Sequence, residues 1–283
     1  MRNTYCGVVS NPSMLGAHSP SGKIRKRNGE RPMRVVARRL ALALLLLGSA
    51  QVAGAQTADE VVDKCLTAMG GRPAFAKLRS RLTIGTITLS TPAGEIAGSV
   101  EILNAAPNKS RSLIKADLSA LGAGQLILDQ RFDGHSGYVI DSLQGNRDMT
   151  GNQRDNLANG SFPHPFLNYK ERGATVQLGG IEKVGERKAY LLIFDPISGS
   201  VVRQYIDAET YLPIRSVVKV EVPQLGREVE QTTDLLDYRE VDGIKLPFNL
   251  TATSPVQNFT IILTKVDHNV RIDETLFSKP ATP

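Results

Sequence analysis

From about residue 82 to residue 266 the sequence repeats one pattern: a short apolar or β-branched run, a turn, then another such run. Expected strands cover 82–90, 95–103, 110–117, 125–132, 138–141, 175–181, 188–194, 201–207, 213–222, 228–236, 245–250 and 257–266. Turn signals separate them at Asp133-Gly134, Ser198-Gly199 and Asp242-Gly243. Helical runs of 10–15 residues between strands are missing, which argues against a parallel α/β sheet. Many strands alternate. Ile214, Val218, Val220 and Val222 oppose Arg215, Lys219 and Glu221; Phe259, Ile261 and Leu263 oppose Asn258, Thr260 and Thr264. One apolar and one wet face marks an antiparallel sheet. So wide a sheet must curl or split. The expectation is a mainly β (α+β) chain, with one antiparallel sheet of about 11 strands curled into an unclosed barrel. Short helices would serve as its lid or plug.

Two segments stand outside the meander. Thr57-Ala58-Asp59-Glu60 is a capping box, and Val61, Val62, Cys65, Leu66 and Met69 then share a helical face. Gly70-Gly71 ends that helix, and Pro73 restarts a helical turn as far as Leu78. The second segment, 149–172, is Asn-rich and then aromatic, with Phe162, Phe166, Leu167 and Tyr169 close together. An irregular aromatic insert within a sheet protein reads as a cover over a mouth.

The start of the sequence reads as a targeting signal. Arg34, Arg38 and Arg39 precede the apolar run 40–48, and Ala53-Gly54-Ala55 supplies small residues before Gln56. The run is short for a membrane span, which needs about 20 residues. The expectation is a signal peptide cleaved near Ala55-Gln56, a translation start at Met33, and a mature single domain over 56–283 in the periplasm. Nine of the 34 Lys and Arg lie in residues 1–55 with one of the 28 Asp and Glu, which leaves 25 against 27. The overall charge of +6 is therefore no argument for a nucleic-acid partner. Beyond residue 55, Cys65 is the one cysteine, too few for a disulfide framework or a Cys-based zinc cage.

Catalytic patterns fail on inspection. Gly134-His135-Ser136-Gly137 has Tyr138 where a nucleophile elbow needs its last Gly, and it sits in a hairpin turn. His135, His164 and His268 are too scattered for a helical zinc motif. Asp207 and Glu209 read as turn formers. No catalytic residue, cofactor or metal is expected, and the pattern favours binding over catalysis.

Several stretches together carry a resemblance. They are Ala68-Met69-Gly70-Gly71, Phe132-Asp133-Gly134-His135-Ser136-Gly137-Tyr138, Tyr205-Ile206-Asp207-Ala208-Glu209-Thr210-Tyr211-Leu212-Pro213 and Asp237-Tyr238-Arg239-Glu240-Val241-Asp242-Gly243-Ile244-Lys245-Leu246-Pro247-Phe248, followed by Leu276-Phe277-Ser278-Lys279-Pro280. This resembles the exported outer-membrane lipoprotein-sorting proteins, the LolA/LolB-like lipoprotein carriers, over about residues 57–280. The resemblance implies an unclosed antiparallel barrel with short helices over an apolar cavity that holds acyl chains. The expected partners are lipid or lipoprotein acyl chains, an envelope protein and a transient membrane contact. The competing expectation is an envelope sensor or protein-interaction domain that uses the same fold without lipid. Cavity residues are expected at Leu126, Leu128, Ile214, Val218, Phe248, Ile261 and Leu263, with Phe162, Phe166, Leu167 and Tyr169 as the lid. Pro213 and Pro247 are expected at strand starts or edges.

Overall fold

The computed structural model describes residues 56–222 and 226–281. The expected signal segment and its start at Met33 lie outside the described residues. Thirteen strands form one antiparallel sheet: β1 (Ser80–Thr91), β2 (Gly94–Ala105), β3 (Lys109–Asp117), β4 (Gln125–Phe132), β5 (Gly137–Asp141), β6 (Arg147–Met149), β7 (Thr175–Val184), β8 (Arg187–Asp195), β9 (Val202–Asp207), β10 (Pro213–Val222), β11 (Arg227–Val241), β12 (Ile244–Thr253) and β13 (Asn258–His268). The count corrects the expectation of about 11; the twelve ranges read from the sequence each fall on one strand. The strand wholly missed is β6, whose three residues are too few for alternation to register.

The order is β6-β5-β4-β3-β2-β1-β13-β12-β11-β10-β9-β8-β7. Strands adjacent in space are consecutive in sequence, except where β1 meets β13 from Arg81↔His268 to Ser90↔Asn258. The first and last strands therefore lie at the middle. β6 and β7, consecutive in the chain, are the two edges, and they do not pair. Pro247 lies inside β12, opposite Tyr238 of β11. It is tolerated there because the ladder to β13 begins at Asn249↔Ile262, so no partner awaits the missing amide.

The sheet curls. Helix α3 (Gly151–Asn159; α1 and α2 follow below) touches both β4 and β10. Those strands are seven places apart in the sheet. At about 4.8 Å per strand a flat sheet would hold them roughly 34 Å apart, beyond the ~10–12 Å width of a helix. The concave face is closed at one end by α1 (Ala58–Ala68) and the short α2 (Arg72–Phe75). The Thr57 hydroxyl accepts the Glu60 amide at 3.2 Å, and the Glu60 carboxylate accepts the Thr57 amide at 2.9 Å. Val61, Val62, Cys65 and Leu66 are buried against Leu192 of β8, Ile206 of β9 and Ile244, Leu246 and Phe248 of β12. Burial in this apolar setting pushes the Cys65 thiol up to about 12, so it is a packing residue, not a reactive one.

One glycine joins helix to sheet. Gly70 has φ +131, and a Cβ there would stand 2.2 Å from the Gly243 carbonyl oxygen. That approach lets the Lys245 amide donate to the Met69 carbonyl at 2.8 Å. Gly70→Ala should destabilise the protein by about 3 kcal/mol through backbone strain and the clash. A lowered denaturant midpoint with an unchanged slope would show it; an unchanged midpoint would mean the helix end is not fixed here.

On the convex face, Leu103 and Ala105 pack with Phe277 of a C-terminal 3-10 turn (Glu274–Phe277). Beside them the buried Asp129 carboxylate receives Arg111 (Nε and Nη2, both 2.8 Å) and Arg131 (Nη2, 2.8 Å). Arg131 also donates to the Ser278 carbonyl at 3.2 Å, which ties the C-terminal turn to the sheet.

Candidate ligand cavity

The insert from β6 to β7 crosses the open side of the sheet, and its two halves differ. The aromatic half is core. Phe162, Phe166 and Tyr169 are buried in one cluster with α1, and Leu167 packs half-buried against it. Rings run from Phe75 to His164 (5.7 Å), on to Phe166 (5.3 Å) and then Phe194 of β8 (6.2 Å). Burial, and after it the Arg81 charge, push His164 down to about 3, so the imidazole is neutral. The Tyr169 hydroxyl donates to the Asp59 carboxylate, and Lys170 pairs with the same side chain at 2.6 Å. Arg172 closes the loop on itself by donating to the Pro165 carbonyl at 2.5 Å and the Asn159 carbonyl at 3.5 Å.

The polar half, α3, is what spans the concave face. The Ser200 amide donates to Asn156 Oδ1 at 2.7 Å, and Asn156 Nδ2 donates to Ser200 Oγ at 3.2 Å. Asn159 Nδ2 donates to the Ser198 carbonyl at 2.7 Å, and Asn152 Nδ2 to Glu228 at 2.5 Å. On the β4 side α3 makes no hydrogen bond among the described residues. It is pinned to one wall and leans on the other.

Three cavities border it: a polar one of about 210 Å³ toward Asn104, Asn108 and Gln130, and two with apolar walls. The first, about 350 Å³, lies between α3 and both walls. Ile87, Leu89, Ile114, Leu126, Leu128, Leu157, Val220 and Phe259 supply its apolar lining; Gln130, Gln153, Asn156, Gln231 and Gln257 supply amides, and Ser112 and Glu221 complete the polar lining. The second, about 290 Å³, lies between the insert and β8–β10, lined by Phe166, Phe194, Val202, Val218 and Val220 with Asn156, Asn159 and Gln204. Asn156 lines both. Each is at the small end of the roughly 300–1,000 Å³ range of ligand pockets. An apolar wall set with neutral amides can accept an amphiphile: methylenes against the wall, ester or amide groups against the Gln and Asn side chains.

The expected cavity residues divide by height along the sheet. Leu126 and Leu128 line the first cavity and Val218 the second. Phe248 and Leu263 are buried under α1. Ile261 is half-buried between that cluster and the one formed by Ile87, Leu89, Ala116 and Leu118. Ile214 is buried beside the β9–β10 irregularity between Pro213 and Arg215, and lines neither cavity. Sequence reading missed Ile87, Leu89, Ile114 and Phe259, whose alternation was visible, and Gln153, Asn156 and Leu157 of α3, for which no apolar signal existed. His135 and Ser136 form a turn in which Asp133 Oδ1 accepts both amides at 2.8 Å.

Thirteen antiparallel strands form two wings joined at β1–β13, unclosed, with α1 in the concave face. The chain has a LolA-like fold. A LolA superfamily protein of Nitrosomonas europaea matches at TM-score 0.51 and 15% identity, covering 80% of this chain and 99% of that one. A DUF1329 family protein of Desulfovibrio piger matches at 0.51 and 14%, covering 79% and 98%. A putative outer membrane lipoprotein-sorting protein domain of Vibrio parahaemolyticus matches at 0.50 and 10%, covering 78% and 97%. No protein-family model matches the chain, and no curated protein matches it. At these identities the LolA-like likeness is one of fold. No helix among the described residues is long and apolar enough to cross a membrane.

Proposed function

We propose that this LolA-like chain is an exported, periplasmic binder of lipid or lipoprotein acyl chains that acts in outer-membrane lipoprotein or lipid sorting, without catalysis. The observation that carries the reading is the amphipathic space between α3 and both walls of the curled sheet. Each buried methylene contributes about 0.8 kcal/mol, so a long chain is held by the wall alone. The amides and the one-sided anchoring of α3 keep the site open to exchange. Leu126, Leu128 and Val218 touch the cargo. Phe248, Leu263, Ile214 and Ile261 hold the wall, and Phe162, Phe166, Leu167 and Tyr169 hold the insert that presents α3 as the lid.

A titration of delipidated protein with a fluorescent fatty acid tests this. Saturable uptake, displaced by phospholipid, is expected; no uptake removes the reading. The runner-up is a protein-interaction or sensor domain. It is favoured by the edge of β7, ten residues paired on one side alone, with Ile181 exposed near its end. Such an edge can accept a strand from a partner. Binding to one envelope protein by lipid-free material would establish it.

A further inference from the structure

The two ends of the sheet differ in chemistry. One carries the loops 91–94, 118–124, 142–146, 196–201 and 254–257, brought together by the hairpins and by the pairing of Ser90 with Asn258. These loops read TPAG, LSALGAG, SLQGN, PISGSV and SPVQ. Their 26 residues would hold about six charges at the chain-wide fraction of 22%, and they hold none; the charges at this end lie in the segment 170–174 that enters β7, where Lys170, Glu171 and Arg172 stand beside the contact of Gly173 with Ile197. At the other end Asp133, Glu186, Glu209 and Asp242 each place a carboxylate in a turn.

Large apolar side chains are exposed at the end of the uncharged loops: Leu121 (43%), Leu143 (46%), Ile197 (79%), Val201 (44%) and Val256 (46%), with Ile127 of β4 just below. Six of the nine exposed large hydrophobics of the described residues are therefore on one rim. Single exposed apolar residues are ordinary, but this clustering is not. The larger cavity also reaches this rim, through Gln257 and Phe259.

We infer that this rim is a membrane-docking edge, and that it seats on the headgroup level of an electrically neutral bilayer. The inference rests on the lipid-binding reading of the cavity. Isolated apolar tips spaced around an arc suit a fluid interface, which needs no matching surface, better than a protein groove. The neutral Ser, Thr, Gln and Asn between them suit headgroups. Charge sets both the depth and the lipid preference. Just below the tips the strand ends carry Glu95, Asp117, Asp141, Asp148, Asp195, Glu221 and Glu228, against Arg147, Arg203 and Arg227. These carboxylates stop insertion beyond the loops and are repelled by anionic lipid. Cargo leaving the bilayer then enters the cavity at the same rim without crossing water.

The chain contains no Trp, so one introduced Trp is an unmixed reporter. Leu143→Trp, Ile197→Trp and, at the opposite end, Glu186→Trp would each be made in protein expressed from the full sequence. Each would be mixed with phosphatidylcholine vesicles, with and without brominated acyl chains. A blue shift and quenching at 143 and 197, absent at 186, is expected. The double variant Leu143→Asp/Ile197→Asp should lose vesicle flotation at least tenfold with an unchanged melting curve. Raising the anionic lipid content should not strengthen binding. Equal signals at both ends, no signal anywhere, or binding that requires anionic lipid would each overturn the docking edge. Fatty-acid uptake in solution with no vesicle contact would sink the edge and leave the carrier standing. Vesicle contact without uptake would sink the carrier reading on which the edge rests.

Discussion

Leu128→Asp is expected to leave the protein folded and to lower its affinity for an acyl chain by about 30-fold or more. Leu128 is half-buried on β4 and faces the larger cavity, so water already reaches the position and the unliganded fold loses little. With an acyl chain against it the new carboxylate is stripped of water with no partner. The uncompensated burial of a polar group costs about 2–3 kcal/mol, or more for a charge, which is about 30- to 150-fold in binding. Phe248→Asp is the contrast. Phe248 is 6% exposed and sits in the cluster under α1, so a charge there should unfold the domain. Melting curves beside fatty-acid titrations separate the two. A folded Leu128→Asp protein that binds as well as the parent would remove the cavity from the account.

Asp129→Ala should cost about 3 kcal/mol of stability, because it removes the carboxylate that two guanidinium groups share, leaving Arg111 only Glu101 at 3.6 Å and Arg131 only the Ser278 carbonyl. Asp129 is 3% exposed and takes both nitrogens of Arg111's fork. Burial by itself would raise its carboxyl, but the hydrogen bonds from Arg111 and then Arg131 outweigh this and hold it below the usual carboxylate range. The sign of the pH effect follows. The stabilisation is complete above the ordinary Asp value of about 3.9, and it is lost as pH falls through the depressed one. The gap between parent and variant should therefore be flat from neutrality down to about pH 4 and close only below it. Chemical unfolding at several pH values measures this; a gap that closes near pH 6 would assign the effect to another group.

The residues that were legible in the sequence, and those that were not, share a cause. Phe259, Ile261 and Leu263 alternate with polar neighbours, so their common face is plain. Their fates differ with height: Phe259 lines the cavity, Ile261 sits between two clusters, and Leu263 is core. Alternation gives the face of a strand but not what covers each level, and here α1 covers one end alone. The insert is a different case. Its aromatics read as a cover because they are apolar and irregular, and they pack into the core around α1. The segment that spans the concave face, GNQRDNLAN, is polar all round, and its position rests on Asn156, Asn159 and Ser200, bonds no periodicity reveals. Topology was legible because nearly every connection is a short hairpin. The exception, β1 beside β13, is a pairing of the first and last strands that no local signal carries.

The space beside α3 is proposed to hold lipid in the cell. The most direct measurement is the intact mass of the protein recovered from a bacterial periplasm under native conditions, with solvent extraction of the same sample. An added mass in stoichiometric amount is expected, lost on denaturation and recovered in the organic phase as an acyl-containing molecule. A bare polypeptide mass, with no uptake when lipid is added, would contradict it.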